Sequence, residues 1–128
     1  MAQYTATLKG VKTLVDFVDV DSAKWRDYAP EHAWPMSWLY RREFAKLLGF
    51  EQRVAEAAAC SFFVTDNEVS LFRDLSPGRD LRLAALGNGV DADFFTPDAA
   101  RANPFASDEL PLVFTGAMDY WPDRKSVV

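Results

Sequence analysis

Asp19 and Asp21 stand two residues apart at the end of an apolar run, in the stretch FVDVDS from Phe17 to Ser22. Paired carboxylates in this position support three chemistries. The first aspartate could attack phosphorus while the second serves as acid and base, both beside magnesium. The pair could instead hold a divalent ion against a nucleotide diphosphate. Or the acids could line the crevice at the carboxyl end of a parallel sheet, where open α/β folds bind ligands. A structural role, capping the next turn, competes with this last reading.

Each chemistry makes demands elsewhere in the chain. A phosphatase of the haloacid-dehalogenase type needs a later acidic loop, which LGNGVDAD resembles, but Asn88 stands where an acid is required. It also needs a phosphate-neutralising lysine, and the candidate, Lys46, falls in mid-helix. The metal-binding acid pair of one glycosyltransferase class needs a nucleotide-binding half upstream, and 18 residues precede Asp19. The crevice reading makes neither demand.

The totals narrow the field. A chain of 128 residues with 49% apolar and 26% charged residues is a folded domain with a real core. Its net charge of −5 argues against a general nucleic-acid binder. With one cysteine, Cys60, neither an internal disulfide nor a multi-cysteine zinc site can form, and a small buried apolar role is expected. The single histidine, His32, is expected at the surface or as a cap. No apolar run approaches a membrane span and no signal peptide is visible, so a cytoplasmic location is expected.

The acids must be positioned by the elements around them. KTLVDFVDVDS reads as a buried strand followed by a loop. AKWRDYAPEHAWP reads as loop or a short helical turn, broken at Pro30 and Pro35. From Met36 to Ala59, Tyr40, Phe44, Leu47, Leu48, Val54, Ala55 and Ala58 recur at helical spacing. Glu51 lies on that same stripe and calls for a buried partner such as an arginine. CSFFVT is a short strand. Thr65 and Glu68 form a capping-box pattern opening a helix with Val69, Phe72 and Leu75 inward, stopped by Ser76, Pro77 and Gly78. LRLAAL is the next strand.

The order β-α-β-α-β predicts an α/β fold with a mainly parallel sheet. A polar stretch with Pro97, Pro104 and Pro111 follows, and LVFTGAMDYWP begins a new strand and loop. Three strands before this stretch and one after it make a thin sheet with open edges. The prolines separate the last strand as a domain boundary would. The chain reads as the middle of something larger.

Four segments, DFVDVDSAKWRDYA, FEQRVAEAAACSFFVTDNEVSLF, LGNGVDADFFTP and LVFTGAMDYWP, occur in an order and spacing that resemble the group-one (family four) glycosyltransferases. They look most like the exosortase-associated, PEP-CTERM-linked sugar transferases. The resemblance implies the GT-B architecture, two Rossmann-like domains facing each other across a cleft, and for this segment an incomplete three-layer parallel sheet. Residues 1–95 would be the later half of the acceptor-side domain, 96–111 the inter-domain linker, and 112–128 the first strand and loop of the donor-side domain.

What the resemblance further implies is transfer of a sugar from a nucleotide-sugar co-substrate to a glycan or lipid-linked acceptor hydroxyl, in exopolysaccharide or glycoconjugate synthesis. The family uses no metal in the cleft and no other cofactor. Asp19, Asp21, Ser22, Lys24 and Trp25 become acceptor-side cleft candidates, with Trp25 a stacking platform for a sugar. Gly116, Ala117, Met118 and Asp119 become donor-phosphate loop candidates. Gly87, Asn88, Gly89 and Asp91 become a hinge, its glycines offering positive φ, with Phe94 and Phe95 packing the exit against a neighbouring surface. The family's paired glutamates and basic diphosphate-binding residues lie beyond this chain, so no catalytic residue is assigned and the isolated chain is expected to be inactive.

A contrasting class is a module without catalysis. Arg41, Arg42, Lys46 and Arg53 lie on the Met36–Ala59 helix beside tryptophan and phenylalanine, which suggests peripheral membrane contact. On composition alone, Glu43, Glu51 and Glu56 nearly cancel that charge.

Overall fold

The structure is a computed structural model that describes residues 10–96, 100, 102, 104–106 and 108–113. The chain divides into two compact units, Met1–Val90 and Asp91–Val128. The first holds every regular element among the described residues: β1 (Leu14–Val18), α1 (Asp21–Tyr28), a 3-10 turn (Ala29–Glu31), α2 (Met36–Ala57), β2 (Cys60–Phe63), α3 (Asp66–Asp74) and β3 (Leu83–Ala85). The strands form one parallel sheet in the order β1-β2-β3. The expected α/β class with a parallel sheet is therefore present.

Parallel neighbours joined by right-handed crossovers in this order place their helices on one side of the sheet. Phe63 of β2 is fully buried there with Val20, Ala23 of α1, Ala55 of α2, and Val69 and Phe72 of α3. Phe17 stacks on Phe63 with ring centres 5.3 Å apart, and Phe72 closes the trio at 5.0 Å from Phe63. Such ring pairs add about 0.5–1.5 kcal/mol each to the burial of their apolar area. Leu14 and Asp16, on the opposite face, are exposed. The described residues thus make two layers, where the Rossmann-like expectation was three.

α2 begins at Met36 as the prolines predict and ends at Ala57, where Ala58 turns extended. α3 opens on Thr65, whose hydroxyl accepts the Glu68 N–H at 3.2 Å. It stops at Asp74, and Gly78 follows with φ of +73°. α1 is a full two-turn helix where the sequence suggested loop or a short turn. Its inward residues, Ser22 and Ala23, are too small and too polar to mark an apolar stripe.

The glycines of the anticipated hinge do not take the positive φ open to them. Among the described residues, Gly10 and Gly78 have positive φ, and Gly87 and Gly89 do not. Phe94 and Phe95 are 72% and 66% exposed, and their rings meet each other edge to face at 4.9 Å. Asp91 instead opens a local turn: its Oδ1 accepts the Phe94 N–H at 3.0 Å and its carbonyl accepts the Phe95 N–H at 3.0 Å. Leu112 and Val113, expected to start a strand, are exposed and lie in no strand. The rest of that segment lies outside the described residues.

Candidate functional site

At the carboxyl end of β1 several charged side chains are tied together by hydrogen bonds. The shape of this end begins with a bulge. Asp16 pairs with Phe62 and Val18 with Phe63, so Phe17 is the extra residue between them. Val18 sits at φ +67°, a left-handed conformation that costs a β-branched residue about 1–2 kcal/mol. The Asp16 carboxylate compensates by accepting the Val18 N–H at 3.0 Å, and the Val18 carbonyl accepts the Val64 N–H at 2.7 Å. This bend turns the chain off the sheet and presents Asp19 and Asp21 at its end.

Lys24 joins the two acids. Its Nζ donates to Asp19 Oδ2 at 3.1 Å and to Asp21 Oδ1 at 2.9 Å. Burial alone would lower the Lys24 pKa, but the hydrogen bonds and charges of Asp21 and Asp19 outweigh it and raise the ammonium above its ordinary value. The lysine is therefore a permanent cation, and it leaves each carboxylate one oxygen free of it.

Two glutamates fix this cluster from below. Glu68 Oε2 accepts the Val20 N–H at 2.7 Å, tying the first turn of α3 to the loop after β1. The Glu51 carboxylate, 4% exposed, accepts the Ser22 N–H at 3.1 Å and the Ser22 hydroxyl at 2.6 Å. Burial raises the Glu51 pKa, the Ser22 hydrogen bonds lower it, and the Asp21 charge adds to the rise. The partner anticipated for Glu51 was an arginine; it is instead the N-terminal turn of α1. A buried carboxylate can be satisfied by neutral donors as well as by a countercharge.

Of the residues singled out from the sequence, the structure brings together Asp19, Asp21, Ser22 and Lys24. Ser22 faces inward to Glu51 and is fully buried. Trp25 belongs to a different group: its ring packs against Tyr28 at 6.2 Å and Tyr40 at 5.6 Å. His32 completes that aromatic group, edge-on to Tyr40, with its Nδ1 on the Tyr28 carbonyl at 2.9 Å. Cys60 is half-buried on β2, where full burial was expected. Gly116, Ala117, Met118 and Asp119 lie outside the described residues.

Glu68 was missed as a site residue. The capping-box pattern suggested that its side chain would fold back onto its own helix, and the carboxylate crosses to Val20 instead. Among the described residues no group of three or more histidine, cysteine or acidic side chains is placed to hold a metal ion. Also among them, no helix is long and apolar enough to cross a membrane. Comparison with family models, with curated proteins and with solved structures gives no match to this chain.

Proposed function

We propose that the chain supplies the acceptor-side lobe of a two-domain, GT-B sugar transferase, as its motifs suggest. The observation that carries this reading is the position of Asp19, Asp21 and Lys24, assembled at the carboxyl end of an outer strand in a parallel sheet. Ligands of open α/β sheets bind at this end. Carboxylates held in place by a lysine suit an acceptor sugar, because each retains an oxygen able to take a hydroxyl hydrogen bond. The nucleotide-sugar donor would be held by the companion lobe, and no turnover is expected of these residues without it.

Amide chemical shifts of the isolated chain, titrated with neutral oligosaccharides, test this. The expected result is movement confined to the Asp19–Lys24 segment, lost in the Asp19→Asn, Asp21→Asn double variant, with no consumption of sugar nucleotide. Turnover of a sugar nucleotide by the isolated chain would reject the one-lobe reading. Magnesium-dependent hydrolysis of a phosphate ester, abolished by Asp19→Asn, would establish the phosphatase alternative in its place.

A further inference from the structure

We infer that the outer face of α2 is a docking surface for an anionic lipid bilayer. Trp38, Arg42, Lys46 and Arg53 follow one another at intervals of four, four and seven residues, which keeps them on one side of the helix. All four are exposed. The stripe runs about 22 Å along the axis, at 1.5 Å per residue. Trp34, 81% exposed, stands just before its tryptophan end. Arg41 flanks it, also exposed.

Composition suggests that acids on the same helix cancel this charge, and the tertiary structure removes two of the three. Glu51 points into the core and is spent on Ser22. Glu56 pairs with Arg79, a cation from outside the helix. Glu43 pairs with its neighbour Arg42 at 2.6 Å, so Arg42 adds no net charge to the stripe. Arg41, Lys46 and Arg53 enter no ion pair among the described residues. A chain of net charge −5 therefore carries a local cationic ridge with tryptophans at one end.

Charge complementarity selects the occupant. Lysine and arginine attract anionic headgroups, and tryptophan prefers the boundary between headgroups and acyl chains. Exposed tryptophans at the end of a basic ridge match both layers of a bilayer surface. A polyanion such as RNA offers the charge without the apolar boundary.

The test is co-sedimentation of the 128-residue chain with vesicles of 30% phosphatidylglycerol in phosphatidylcholine, against pure phosphatidylcholine. Retention is expected on the anionic vesicles alone, falling as salt rises. The Lys46→Gln, Arg53→Gln double variant should bind about 30-fold more weakly, at roughly a factor of five per charge near the surface. The Trp34→Phe, Trp38→Phe double variant should lose quenching by brominated lipid. These side chains are exposed, so circular dichroism should show both variants folded. Failure to bind anionic vesicles, binding unchanged by the lysine and arginine replacements, or tighter binding to polyuridylate than to vesicles would each overturn the proposal.

Discussion

Ser22 gives both its backbone N–H and its hydroxyl to the buried carboxylate of Glu51, so the first turn of α1 is capped by a side chain of α2 rather than by its own sequence. Val20, the residue preceding α1, makes no side-chain cap of its own. The first turn of a helix has N–H groups without intrahelical partners, and Glu51 answers one of them across 29 positions of sequence.

The pH dependence of stability follows from that pair. Burial holds the Glu51 carboxyl above the usual carboxylate range. The folded chain thus keeps this proton to a higher pH than the unfolded chain, whose glutamates titrate near about 4.3. The resulting stabilisation is full below that value and is lost as pH rises through the folded value. In urea titrations across this window, wild type should lose stability relative to Glu51→Gln, whose amide carries no titration. A constant difference between the two proteins would refute the assignment. Glu51→Ala should cost about 2 kcal/mol or more, because it strands both Ser22 donors in the interior.

Glu68 should show an analogous long-range role. Glu68→Ala removes the acceptor of the Val20 N–H, with an expected loss of about 1–2 kcal/mol. Hydrogen exchange at Val20 should accelerate more than exchange within α3. The Thr65→Ala change, which removes only the local cap, should cost about 1 kcal/mol and leave Val20 protected. Equal effects at Val20 from both changes would contradict the separation of roles.

Two glycines separate backbone strain from packing. An added Cβ at Gly78 meets nothing within 4 Å, yet φ there is +73°. Gly78→Ala should therefore destabilise by about 1–2 kcal/mol through conformation alone. At Gly87 the nearest atom to an added Cβ is the Val64 carbonyl oxygen at 3.9 Å, an ordinary contact, and φ is not positive. Gly87→Ala should leave stability unchanged or raise it by up to about 1 kcal/mol. Thermal midpoints of the two variants check the contrast.

Ser61 sits fully buried in the central strand, and its hydroxyl has no hydrogen-bond partner among the described residues. A buried hydroxyl without a partner forfeits the bonds it makes to water in the unfolded chain. Ser61→Ala should raise stability by about 1 kcal/mol. A measured loss of that size would show that the hydroxyl is satisfied in solution.

Much of the architecture is legible without coordinates, for a local reason. The stripe from Tyr40 to Ala55, the Thr65 cap and the apolar runs of β1, β2 and β3 all depend on spacings of two to four residues. Those spacings are set by backbone geometry. α1 escaped because it buries Ser22 and Ala23, which no hydropathy pattern marks. The Gly87–Gly89 run suggested a left-handed turn because glycine permits one. Permission is not a requirement, and the chain there stays at ordinary φ.

The sequence by itself determined the order β1, α2, β2, α3, β3, without α1, and the pairing of Asp19 with Asp21 on one short segment. The tertiary structure alone decided which carboxylates face solvent and which are consumed. Glu51 reaches Ser22 across 29 positions, Glu68 reaches Val20 across 48, and Glu56 takes Arg79 across 23. The reason is physical: a buried carboxylate must find donors, and any N–H, hydroxyl or cation that packing brings within about 3 Å satisfies it. Which one arrives depends on how the helices lie on the sheet, a relation no local spacing encodes.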